Sequence, residues 1–95
     1  MTTQTFIDAE FAKLNFYTSQ ILKVHGAHHP ELAVVRDLFV TMQEKVATTA
    51  NADLTPELTQ LAAVTNNYEV PADGCEAYQA TYQLLHQFHS LALAG

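Results

Sequence analysis

The sequence predicts an all-α chain folded as one up-down-up-down four-helix bundle. Apolar residues recur at alternating steps of three and four over four separate stretches, the spacing that lays them along one face of a helix. The stretches are divided by short segments that carry Gly, Pro, Asn and Asp, and no repeat, linker or low-complexity run interrupts them. The chain has 95 residues, enough to bury roughly 60 to 65% of its unfolded surface, so residues 1–95 read as a single domain that folds without staples.

The first helix is expected over about residues 4–25, starting at Thr3 or Gln4 and stopping at Gly26. Its seam is Ile7, Phe11, Leu14, Thr18, Ile21 and Val24. Phe6, Phe16, Tyr17 and Leu22 lie outside that line, so a second apolar flank is implied. These four residues are the predicted interface for a homodimer or a helical protein partner. Gly26 to Pro30 makes a tight turn, with Gly past one helix end and Pro at the first position of the next, so the first two helices should be antiparallel neighbours.

The second helix, about 30–48, has the cleanest pattern: Leu32, Val35, Phe39, Met42 and Val46. Ala47 to Asp53 loses the period and forms the next loop. Thr55-Pro56-Glu57 restarts a helix with a hydroxyl cap, a proline at the first position and an acid in the first turn. The third helix is short, about 56–66, with Leu58, Leu61 and Val64 inward and Asn66 or Asn67 as a left-handed terminator. The fourth, about 74–94, sets Cys75, Tyr78, Tyr82, Leu85, His89 and Ala92 on its seam, with Leu84, Phe88 and Leu91 widening the stripe.

Composition excludes several classes of function. Ten acidic residues against four basic ones, with no Lys/Arg cluster, leave little charge to displace counterions from a nucleic acid. No segment approaches the ~18 apolar residues of a membrane span, and the first residues have neither a basic start nor an apolar run, so the expectation is a cytoplasmic chain without membrane contact. One cysteine precludes an intramolecular disulfide. There is no Gly-rich phosphate loop, no nucleophile elbow and no Ser/His/acid set that the helices would gather, so the chain reads as a non-enzyme. Glu44 and Lys45 face outward by phase.

The run Lys23 to Leu32, within Leu14 to Val46, and the turn Thr65 to Cys75 followed by Tyr78 and Tyr82, resemble the hemerythrin-like domain of the iron-sulfur cluster repair di-iron proteins. The resemblance implies a hemerythrin-like four-helix bundle and a role in oxidative or nitrosative stress. It also implies a di-iron site built from histidines and carboxylates, but its ligands do not carry over. The first-helix histidine would fall near Gln4, the second-helix one near Thr49, and a Glu-His-Asp cluster near Ala50 to Ala52, while the last helix ends at Gly95 where further ligands would begin. The expectation is a truncated, ligand-depleted relative with no metal and no cofactor, acting as an interaction or stress-related module.

Two alternative metal sites can be assembled from the residues themselves, for iron or zinc with a retained repair or redox role. His86 and His89, spaced to share a helix face, could combine with Glu10 and Glu57 at the same height. His25, His28 and His29 could bind a metal at the turn or between two copies. The bland readings are that His89 is a hydrogen-bonded seam residue with His86 exposed, that the turn histidines are a solvated loop with one capping residue, that Cys75 is a small buried thiol, and that Tyr78 and Tyr82 are core aromatics with their hydroxyls at the bundle edge.

Overall fold

A computed structural model describes residues Thr2–Ala94. Four helices are present among them: α1 Thr3–His25, α2 Glu31–Thr48, α3 Thr55–Val64 and α4 Glu76–Ala94. Each begins or ends within two residues of its expected limit. Thr2 caps α1 by accepting the Thr5 N–H at 3.1 Å. At α3 the expected hydroxyl cap is replaced: Asp53 Oδ1 accepts the Thr55 N–H at 3.0 Å, an Asx-type turn that leads Pro56 into the helix. Gly26 ends α1 for a reason other than a left-handed turn. Its φ is −60°, but a β-carbon there would collide with the Leu22 carbonyl oxygen that its own N–H bonds.

α1 packs against both α2 and α4, and α2 against α3, whereas α3 makes little direct contact with α4. Sharing two neighbours widens the buried arc of α1. That is why Phe6, expected on the outer flank, is fully buried: its ring stacks on Phe88 at 5.3 Å. Phe88 in turn meets Phe11 at 5.2 Å, and Phe11 meets Phe39 at 5.1 Å, so one aromatic chain links α4, α1 and α2. Leu14, Ile21, Leu32, Val35, Met42, Leu58, Leu61 and Leu85 belong to the same core, as do Tyr68, Tyr78 and Tyr82.

Val24 departs from the expected seam in the opposite sense and is 63% exposed. After Ile21 the alternation calls for a step of four, which reaches His25 in register with Ile7, whereas Val24 lies about 100° around the helix; the His25 ring accordingly turns inward and meets Tyr78 at 5.3 Å. Cys75 is exposed rather than buried, because α4 starts at Glu76 and Cys75 is not yet on a helical face. Lys45 does not simply face water: its Nζ lies 2.9 Å from the carboxylate of the buried Glu57 and donates to the Asp53 carbonyl at 3.2 Å, tying α2 to the start of α3. Arg36 Nη1 does the same for α1 and α2, meeting the Asn15 carbonyl, Asn15 Oδ1 and Thr18 Oγ1 at 2.8 to 2.9 Å. No helix among the described residues is long and apolar enough to cross a membrane.

Candidate functional site

Because α3 is ten residues long and stops at Val64, the side of α4 that it leaves open must be covered by the chain that follows. Asn66, Asn67 and Tyr68 run consecutively through the left-handed region, with φ of 53°, 59° and 64°. Asn tolerates this conformation; Tyr does so at a cost of about 1–2 kcal/mol. Thr65 Oγ1 holds the bend by accepting the Tyr68 N–H at 2.8 Å while donating to the Leu61 carbonyl at 2.6 Å. The strain sets the Tyr68 side chain over α4, where it is buried, stacks on His86 at 5.0 Å and hydrogen-bonds His89 Nδ1 through its hydroxyl at 2.8 Å. Burial raises the Tyr68 phenol pKa, and burial together with the nearby His86 lowers that of His89. His86 stays exposed. The His86–His89 face is thus organised by a tyrosine, not by Glu10 and Glu57. Glu57 is engaged by Lys45, and Glu10 contacts Lys13 at 3.4 Å.

The turn end carries a second polar cluster. His29 Nε2 lies 2.9 Å from both oxygens of Asp73, and its Nδ1 lies 3.1 Å from Glu31. A neutral imidazole has one N–H and one lone pair, so an imidazole with carboxylates at both nitrogens is stabilised as the cation. Its pKa is accordingly raised, first by the Asp73 hydrogen bond and then by the charges of Asp73 and Glu31, while that of Asp73 is lowered mainly by the same bond. His29 therefore clasps the α1–α2 turn to the segment before α4. His25 Nε2 lies 3.3 Å from Cys75 Sγ beside it, whereas His28 is exposed and takes no part. Both rings stand edge-on to Tyr78, at 5.3 Å for His25 and 5.7 Å for His29. Tyr78 is completely buried, and its hydroxyl, expected at the bundle edge, has no hydrogen-bond partner. Burial foremost drives its pKa upward.

Among the described residues, no three His, Cys, Asp or Glu side chains converge as a metal-binding group, at either histidine cluster or elsewhere. The opposite end of the bundle is open. A cavity of about 270 Å³ lies between the first turns of α1, the α2–α3 loop, the start of α3 and the last turns of α4. Finally, the outer side of α1 presents Phe16, 59% exposed, beside Tyr17 with ring centroids 6.0 Å apart, and Val24 two turns beyond Tyr17. Val34 on α2 is 45% exposed. Of the four residues expected at an interface, Phe16 is fully available and Tyr17 half-buried, Leu22 packs against the core, and Phe6 is removed altogether.

Comparison with known protein families, with functionally described proteins and with solved structures found no match for this chain.

Proposed function

We propose that the chain is a non-enzymatic interaction module that associates through the outer face of α1 with a second copy of itself. The observation that carries this reading is the exposure of Phe16 and Val24 with Tyr17 between them, on a helix whose other face is fully used by the core. Charge supports the same partner. Of the four basic residues, Arg36 and Lys45 are spent on internal contacts, while Lys13 and Lys23 are exposed on α1. A second copy of this acidic chain brings exposed carboxylates such as Asp37 and Glu44 on its α2. Three apolar side chains fall short of the about 20–30 residues per side of a stable interface, so the association is expected to be weak and reversible.

Kinship with the hemerythrin-like iron-sulfur repair proteins is part of the proposal. The four-helix architecture and the Thr65–Cys75 turn support it, but the interaction reading does not depend on it. The test is NMR on a mixture of isotope-labelled and unlabelled chains. Intermolecular contacts are expected at Phe16, Tyr17 and Val24. Contacts confined to other surfaces, or none at high concentration, would overturn the proposal.

A further inference from the structure

The cavity at the open end has a divided lining. Ile7, Val46, Leu58 and Phe88 form an apolar floor, and Thr49, Asn51, Asp53 and Thr55 form a polar rim. Asp53 is the one ionisable side chain among the described residues that line it. The hydrogen bonds from Thr55 hold the Asp53 carboxyl below its ordinary pKa, with help from Lys45, so it is charged near neutrality. Its Oδ1 accepts the Thr55 N–H at 3.0 Å, and the residue stays exposed.

Helix ends of both senses surround the cavity. α2 and α4 both finish here, and the last carbonyls of a helix have no partner within it and carry its negative dipole end. α1 and α3 start here, and two of their otherwise unpaired N-terminal donors are used by side chains: Thr5 N–H bonds Thr2 Oγ1 and Thr55 N–H bonds Asp53 Oδ1. Two helix starts and two helix ends offset one another, so the net charge over the apolar floor is that of Asp53.

We propose that this cavity binds a small organic cation: an ammonium group at Asp53, carried on an apolar body that rests against Ile7, Val46, Leu58 and Phe88. The volume of about 270 Å³ lies just below the usual range of small-molecule pockets, which restricts the body to about the size of one aromatic ring. Affinity for so small a probe is expected in the millimolar range.

The experiment compares three probes of matched shape, 2-phenylethylamine, 2-phenylethanol and 3-phenylpropanoate, by following backbone amide shifts of the whole chain by NMR. The amine should shift the Thr49–Thr55 amides saturably, and bind more tightly than the alcohol and far more tightly than the carboxylate. Asp53→Asn keeps a side chain able to cap Thr55 and should weaken the amine by about fivefold, the scale of one partly exposed charge pair, without affecting the alcohol. Ala92→Phe, which fills the cavity from α4, should abolish binding of both. Equal binding of amine and carboxylate, an amine affinity indifferent to Asp53→Asn or to Ala92→Phe, or no saturable shift with the amine would each overturn the proposal.

Discussion

Phe6 and Phe16 lie on the same helix, less than three turns apart, and have opposite fates. Phe6 is completely buried and begins the aromatic chain through Phe88, Phe11 and Phe39, whereas Phe16 is 59% exposed beside Tyr17. Both read alike as surplus apolar residues of a greasy helix. The difference lies in the neighbours: α1 is flanked by α2 and α4, and only the arc between them is covered. One face of α1 therefore holds the molecule together, and the other is free to be used.

Breaking the inner face should have the largest effect. Phe6→Ala removes a ring from a packed aromatic cluster and should cost about 3–5 kcal/mol in chemical unfolding; a loss under about 1 kcal/mol would mean that the stacking on Phe88 is not formed. Lys45→Met comes next. It strands the buried Glu57 carboxylate without its cation, and an intact buried pair broken from one side costs about 3–5 kcal/mol. Because Lys45 is 38% exposed, water offsets part of this, and a loss of about 1–3 kcal/mol is expected. The double variant Lys45→Met with Glu57→Gln should recover part of the loss.

Smaller in size but opposite in sign is Tyr78→Phe. It deletes a buried hydroxyl that has no partner, so it should raise stability by about 1 kcal/mol; destabilisation would show that the hydroxyl is satisfied in solution. The His29 clasp should be visible only as a pH dependence. With its folded pKa above 6.5, His29 contributes fully below that value, and the contribution is lost as pH rises through the raised pKa. Asp73, lowered from 3.8, contributes above that value and loses its effect as pH falls through the lowered pKa. The clasp is thus strongest between about pH 4 and about pH 6.5. Thermal melts of the wild type should lose more stability than those of His29→Gln between about pH 6 and about pH 9. Parallel curves would remove the clasp.

The helices were legible because their signals are local. The period of Leu32, Val35, Phe39 and Met42 and the stop at Gly26 depend on neighbours in the chain. What reached beyond one helix was not legible. Val24 attracts the eye as the apolar residue at the end of α1, but the step of four that the alternation requires after Ile21 puts the polar His25 inward instead. Tyr68 was invisible as a core residue because a turn of Thr, Asn and Glu gives no periodic signal. Only the shortness of α3, which leaves α4 uncovered, called for a large side chain there. The His29–Asp73 pair joins residues 44 positions apart, and the turn histidines gave no sign of which would meet an acid. Along the chain Glu57 offers itself as a ligand with His86 and His89, since nothing in the sequence pairs it with Lys45.

Phe16→Glu separates the two faces of α1 in one step. A charge at this exposed position should leave the unfolding midpoint within about 0.5 kcal/mol of wild type, so any change in assembly belongs to the outer face alone. Sedimentation velocity of both proteins over a wide concentration range tests this directly. The wild type should move reversibly from monomer to dimer as concentration rises, and Phe16→Glu should stay monomeric while melting like the wild type. A wild type that is monomeric throughout, or a Phe16→Glu variant that dimerises equally well, would contradict the assignment of this face to self-association.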